Sequence, residues 1–162
     1  MSLALPFAAS GFQVMATMTH LPAMVKDAGL EPTAALQSLI AVSGTAFVGS
    51  WVFGQMADRY GPTRLLALVY VARALLSFAL LAIPVTPGWL LAYFAVVGLF
   101  WMSPIPLTSG ACAQRFGTQN LATLFGVAFF FHQLGGFVGT WSAAPVRQIT
   151  GSYTAVWLTC GL

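Results

Sequence analysis

Apolar residues run along this chain in long blocks without alternation, and short polar interruptions divide them into six. The first block covers about Leu3 to Val25 and stops at Lys26-Asp27-Ala28-Gly29. Pro32-Thr33 opens the second, which runs to about Met56; a proline costs little there because the N–H it lacks would be unpaired at a helix start. Residues 54–64, GQMADRYGPTR, separate it from a third block between about Arg64 and Val85. Thr86-Pro87-Gly88 reads as a tight turn into the fourth block, which continues to about Ala113, and residues 114–120 are polar again. The fifth block spans about Leu121 to Ala144, residues 145–151 are expected to form a loop, and the sixth starts near Ser152.

These blocks are apolar on every side, so the alternation of a membrane-barrel strand does not fit them. Helices, which satisfy their own backbone hydrogen bonds in lipid, do. The fold class this predicts is an all-α integral membrane protein with six transmembrane helices. The residues from 152 onward would rise only about 16 Å as a helix, roughly half of a 30 Å hydrocarbon core. The sixth helix is therefore expected to be truncated, with the chain ending inside a span.

Composition sharpens the picture. The chain is 59% hydrophobic and 6% charged, with a mean hydropathy of +0.86. Residues 74–114 contain no Asp, Glu, Lys or Arg, a length that a bilayer accommodates as two spans of about 20 residues. Membrane lipid is thus the expected surrounding. The net charge of +3 is scattered, whereas nucleic-acid binding requires a clustered basic face; no nucleic-acid partner is expected. Cys112 and Cys160 lie in apolar surroundings without CxxC or Cys/His spacing, so they read as buried thiols, with no metal site and no disulfide. No nucleophile–base constellation is visible, so neither an enzyme nor a cofactor is expected. The opening MSLALPFAAS has no basic start and no small-residue cleavage site after a short apolar core, and is read as a retained helix.

Two stripes of small residues recur at helical intervals. Ala46, Ser50 and Gly54 stack on the second helix, and Gly135 and Gly139 on the fifth. Such faces allow close helix approach where lipid provides no hydrophobic drive for association.

Residues 54–64 combine an acid, two arginines, two glycines and a proline between two apolar blocks. The pattern G-x-x-x-D-R-x-G followed by a basic residue, here Gly54, Asp58, Arg59, Gly61 and Arg64, resembles the cytoplasmic loop signature of the major facilitator superfamily. Pro62-Thr63 stand where its members commonly carry basic residues. In physical terms Gly54 would permit close helix contact and Gly61 a sharp turn. Asp58 could accept hydrogen bonds from a neighbouring helix N-terminus, where the dipole favours an anion. HLPAMVKDAGLEPTAA at 20–35, HQLGG at 132–136 and TGSYTAVW at 150–157 resemble the monocarboxylate and oxalate/formate transporter-like branch.

The resemblance covers nearly the whole chain and implies a C-terminal half, with helices equivalent to 7–12 of a twelve-helix fold and the N-terminal six-helix half missing. It implies secondary active transport of a small organic solute by alternating access, in a multi-pass protein of a bacterial-type inner membrane. A monocarboxylate-like anion is one form of that solute. Related carboxylate carriers commonly place an arginine near the position of Ser50, and serine there opens the reading to a neutral or amphipathic solute. A non-transporting membrane interaction subunit is the alternative from another class. With the signature loop inside, the inner loops hold Arg59, Arg64 and Arg115 against Lys26 and Arg147 outside, a slight inward bias.

Polar side chains inside an apolar block are the candidates for function. His132 falls near mid-bilayer beside Gln133; its imidazole could bind a carboxylate when protonated or carry a proton, or sit neutral between helices. Trp101 and Ser103 precede Pro104 and Pro106, which are expected to bend the fourth helix and free carbonyls toward a cavity. Ser50, near the position where the related carriers place an arginine, is a substrate-binding candidate, and His20 is read as a gate or interface residue. Phe129, Phe130 and Phe131 point several ways, some to lipid. Arg73, about 13 Å along its helix from Arg64, lies on a helix the resemblance makes peripheral, and is read as structural or as reaching to the surface.

Overall fold

The computed structural model describes residues 4–82, 85–151 and 158. Among these every regular element is an α-helix: α1 (Ala4–Asp27), α2 (Pro32–Tyr60), α3 (Pro62–Ala82), α4 (Pro87–Trp101), α5 (Pro104–Phe116) and α6 (Leu121–Thr150). Proline opens α2, α3, α4 and α5, where its fixed φ already suits a helix. At the start of α4 the Thr86 hydroxyl also accepts from the Trp89 N–H at 3.3 Å, occupying one of the amides a helix leaves open.

The boundaries correct the sequence reading in several places. The signature stretch is hardly a loop: α2 continues through Tyr60, Gly61 reverses the chain at φ +83°, and α3 starts at Pro62. The Gly61 N–H caps the turn on the Ala57 carbonyl at 3.0 Å. The fourth block does not bend but breaks, ending α4 at Trp101 and starting α5 at Pro104. Proline at 104 lacks an amide, so the ladder is interrupted there. The loop expected over residues 145–151 is helical instead: Pro145 lies inside α6, which continues to Thr150 and ends where the Gly151 N–H meets the Arg147 carbonyl at 2.9 Å. The sixth block, with Cys160, lies outside the described residues.

Among the described residues four stretches are long and apolar enough to cross a membrane: Pro32–Tyr60, Pro62–Leu80, Pro87–Phe116 (α4 with α5) and Leu121–Thr150. Their outer faces present bulky apolar groups, among them Trp141 at 67%, Phe137 at 67% and Leu75 at 65% exposure. A water-soluble monomer rarely carries so much exposed apolar surface; lipid contact accounts for it. The chain is thus an all-helical, multi-pass membrane protein. α1 carries two buried hydroxyl side chains, Ser10 and Thr17.

The helices pair in parallel. α1 lies along α6 and α2 along α4, while α3 packs on α5. Both parallel seams are closed by glycine. A Cβ on Gly135 would strike the Ala8 carbonyl, one on Gly139 the Phe12 carbonyl, and one on Gly11 the His132 carbonyl. Across the other seam, Gly49 faces the Leu99 backbone and Gly98 the backbone of Val42. The stripe read on the fifth block is therefore a contact face. The one on the second block is displaced: Gly54 has nothing within 4 Å of its Cβ position, and the buried line runs through Ser38, Val42, Ala46, Gly49 and Phe53.

Candidate functional site

The two seams leave a space between them. α1, α2 and the α4/α5 break line a half-open cleft of about 570 Å³ whose wall includes Met15 and Met18, Phe47 and Ser50, and Trp101 and Met102. Trp101 sits on the last turn of α4 and Ile105 on the first turn of α5, so the wall crosses the break. The polar groups on it are Ser43 and Ser50. Ser43 donates to the Leu39 carbonyl at 2.8 Å, whereas the half-buried Ser50 hydroxyl makes no hydrogen bond among the described residues and is available to a ligand.

Behind Trp101 lies the most polar cluster of the interior. Arg73 of α3 is 2% exposed. Its Nε donates to Gln13 Oε1 at 2.7 Å and its Nη1 to Ser10 Oγ at 2.6 Å, both on α1. Gln13 Nε2 in turn donates to Ser77 Oγ at 2.6 Å, and Ser77 to the Arg73 carbonyl at 3.0 Å. The guanidinium carbon stands 5.8 Å from the centroid of the Trp101 ring, within cation–π range. Arg73 is thus an interior residue tying α3 to α1 and α4, and does not reach for the surface. Of the two readings made from sequence the structural one holds, but its partners on α1 were not named. The available signal was a polar line on α1, Ser10, Gln13, Thr17 and His20, spaced three and four apart; such a line on a membrane helix calls for polar partners.

The remaining candidates fall in three places. Ser103 occupies the break, fully buried, its hydroxyl donating to the Leu99 carbonyl at 2.7 Å. His132 sits in an aromatic box on the α1/α6 seam, 4.7 Å from the Phe7 ring centroid and stacked at 5.5 Å on Phe129. Its Nδ1 lies 3.2 Å from Gln133 Oε1; His132 and Gln133 are not part of the cavity wall described above. His20 reaches across the same seam, with Nε2 3.2 Å from the Thr140 carbonyl, an interface position. At the end of these helices Arg147 meets Asp27 at 2.8 Å.

The signature residues gather at the opposite end. Asp58, Arg59 and Arg64 are exposed, and Arg59 lies over the Tyr60 ring at 5.4 Å. Asp58 makes no hydrogen bond or ion pair among the described residues, and the expected contact with a helix N-terminus is not among their contacts. The turn is docked on α5 instead, Pro62 lying 3.3 Å from the Cβ position of Gly110. No group of three or more His, Cys, Asp or Glu residues that could hold a metal occurs among the described residues, and Cys112 is a buried free thiol.

Comparison with known proteins places this arrangement. The family model of the Major Facilitator Superfamily matches residues 1–140. The chain is 23% identical over 155 residues, 93% of its length, to the uncharacterized MFS-type transporter YcxA of Bacillus subtilis (strain 168), covering 38% of that protein. It is 24% identical over 143 residues to monocarboxylate transporter 13 of Bos taurus, 88% of this chain and 34% of that protein. It is 30% identical over 117 residues to monocarboxylate transporter 12 of Rattus norvegicus, 70% of this chain and 24% of that one. The chain spans roughly a quarter to two fifths of the curated relatives it matches. With a family match over most of its length, a glycine-closed helical bundle and the G-x-x-x-D-R-x-G turn between α2 and α3, the chain belongs to the Major Facilitator Superfamily, on the side of it that holds the monocarboxylate transporters.

Proposed function

We propose that the chain is the C-terminal half of a secondary active transporter, its blocks equivalent to helices 7–12, and that it moves a small organic solute by alternating access together with an N-terminal six-helix half. The observation that carries this reading is the cleft lined by α1, α2 and α4/α5. A space of this size between helices, mostly apolar with a few placed polar groups, is what a small-molecule site requires. Its wall is also interrupted by a broken helix, as solute sites in such folds commonly are. In this scheme Ser50 and Trp101 contact the solute and Ser103 keeps the break closed. His132, with Gln133, is a proton-carrying candidate on the α1/α6 seam. The exposed turn of Gly54, Asp58, Arg59, Gly61 and Arg64 finds its charge partners in the other half and exchanges them as the halves rock, in a bacterial-type inner membrane.

Uptake into liposomes tests this. The chain paired with an N-terminal six-helix half is compared with the chain alone, over monocarboxylates, dicarboxylates and neutral solutes at two pH values. Saturable uptake by the pair and none by the chain alone is expected. A pair that assembles in the membrane yet moves no solute would defeat the reading in favour of an interaction subunit.

A further inference from the structure

The parallel seams and the packing between them differ in kind. Along α1 and α6 backbone lies on backbone: Gly135 on Ala8, Gly11 on His132 and Gly139 on Phe12. Ala16 and Ala143 continue the contact, His20 adds its bond to the Thr140 carbonyl, and Asp27 meets Arg147 at the far end. From Ala8 to Asp27 this fastening follows about 28 Å of helix. α2 and α4 are held in the same way, through Gly49 and Gly98. Backbone atoms in contact cannot swing aside, and close packing transmits displacement, so each pair moves as one body.

No glycine contact of this kind joins α1 to α2 among the described residues. Gly11 faces α6, Gly49 faces α4, and Gly44 and Gly54 have nothing within 4 Å of their Cβ positions. Side chains fill the gap instead. Next to the turn at residues 28–31 they fill it well: Leu21, Met24 and Val25 of α1 share one core with Ala34 of α2 and Leu90 and Phe94 of α4. Further along, the helices part around the cleft, whose wall sets Met15 and Met18 against Ser43, Phe47 and Ser50. Methionine changes shape at little cost, so this part of the packing is the soft one. The turn itself places Gly29 at φ +68° and holds the Leu30 N–H on the Val25 carbonyl at 3.1 Å. A few loop residues of this kind suffice for a hinge.

Two further features fit a swing about that turn. α5, which links α4 to α6, is cut from α4 at Met102–Ser103, so the chain can follow α6 without bending α4. Arg73 spans the opening. Its helix, α3, packs through Leu65, Leu66 and Val69 on Phe53 of α2, while its guanidinium donates to Ser10 and Gln13 of α1. We propose that this chain carries a hinge of its own: α1 and α6 swing as one body against α2, α3 and α4 about residues 28–31. The α4/α5 break is the second joint, and Arg73 is the clasp that limits the swing. The inference goes beyond the transporter reading, in which one half rocks against the other, and does not rest on it. α1 is about 35 Å long, so a swing of about 5° would carry its free end by about 3 Å.

Distances between spin labels on the chain in phosphatidylcholine nanodiscs, read by double electron–electron resonance in a Cys112→Ser, Cys160→Ser background, test this. Exposed positions carry the labels. Leu5→Cys with Val127→Cys joins the free ends of α1 and α6. Leu5→Cys with Gln55→Cys spans the opening, and Ala23→Cys with Leu36→Cys spans it beside the turn. The first and third distributions are expected to be narrow and the second broader by about 3 Å. Arg73→Gln should widen the second further and leave the other two unchanged, while Arg73→Lys, which keeps a charged donor, should restore part of the restraint. Should Arg73→Gln fail to fold, the three distributions of the parent chain still decide.

A Leu5–Gln55 distribution as narrow as that of Leu5–Val127 overturns the hinge. A Leu5–Val127 distribution as broad as that of Leu5–Gln55 overturns it too, since α1 would then move without α6. Equal breadth for Ala23–Leu36 and Leu5–Gln55 would rule out a pivot at residues 28–31. Arg73→Gln that folds and leaves the second distribution unchanged overturns the clasp. A swing seen without uptake by the paired protein would instead defeat the transporter reading and leave the hinge standing. Uptake by that pair with narrow distributions throughout would do the reverse.

Discussion

Replacing Gly139 by alanine isolates the contact that joins α1 to α6. The new Cβ would lie 3.0 Å from the carbonyl carbon of Phe12 and nearer still to its oxygen. Relaxed contacts between carbons lie at about 3.5–4.0 Å, so α1 must retreat by about 1 Å or tilt. The atom opposite belongs to the backbone of a helix, not to a side chain that can swing away. Overpacking of this kind costs about 1–3 kcal/mol. Alanine recovers about 1 kcal/mol over glycine from intrinsic helix propensity, leaving a net loss of roughly 0–2 kcal/mol. Gly126 on the same helix is the control, because a Cβ there meets nothing within 4 Å. Gly126→Ala should gain the propensity term alone, about 1 kcal/mol. The two variants should therefore differ by about 1–3 kcal/mol in opposite senses. Gly135→Ala should behave like Gly139→Ala, and the double variant should lose less than the sum, since one retreat of α1 relieves both clashes. Unfolding of the chain in mixed micelles of rising dodecyl sulfate fraction, followed by circular dichroism, reads the differences. Gly139→Ala as resistant as Gly126→Ala would refute the seam as drawn.

Other expectations follow from the charged and titrating groups. A double-mutant cycle on Asp27→Asn and Arg147→Gln should give a coupling of about 0.2–1 kcal/mol that shrinks with salt, because the pair is 43% and 35% exposed; a coupling of several kcal/mol that salt leaves alone would contradict this. Asp58→Asn should leave the stability of the isolated chain within about 0.5 kcal/mol of the parent, as the carboxylate has no partner here. In the paired protein it should impair uptake and shift inward/outward accessibility in cysteine labelling, and normal uptake with an unchanged ratio would count against a switching role. For His132→Gln, the pH profile is the measurement. If imidazolium draws in the anion, wild-type affinity falls with rising pH, since only the cation attracts, and the variant loses that dependence. Identical profiles from about pH 5.5 to 8 would leave His132 as packing in its aromatic box.

Much of the helical layout was legible because apolar blocks bounded by proline and glycine leave a membrane chain few choices. The starts of α2 at Pro32 and α6 at Leu121 fall where the blocks open. Proline inside a block was harder to read, since two prolines produced opposite outcomes. Near Pro104 the chain breaks, with Met102 and Ser103 between two helices, while α6 runs through Pro145. The difference is tertiary, and local sequence does not encode it. The cavity wall was partly foreseen in Ser50 and Trp101. Arg73 was placed by its height along α3 alone; its lateral reach depends on Ser10 and Gln13, some sixty residues earlier. The seam glycines divided likewise: Gly135 and Gly139 announce themselves by spacing, whereas Gly11, Gly49 and Gly98 are single glycines whose purpose appears only with the facing helix in place.

The break between α4 and α5 makes the second of these helices a lever. α4 is fastened along α2 by Gly49 and Gly98, so it moves with that helix. α5, with its 13 residues, is about 20 Å long, and a tilt of 10° at Met102–Ser103 would carry its far end by about 3 Å. Midway along α5, Gly110 rests on Pro62, which opens α3 directly after Gly61. At the fulcrum sit Trp101 and Ile105, on opposite arms, both facing the cavity. A solute wedged between them bears on the short side of the lever, and the signature turn rides on the long one. A tilt of α5 driven by the filling of the cavity would therefore displace the turn that carries Asp58 and Arg59.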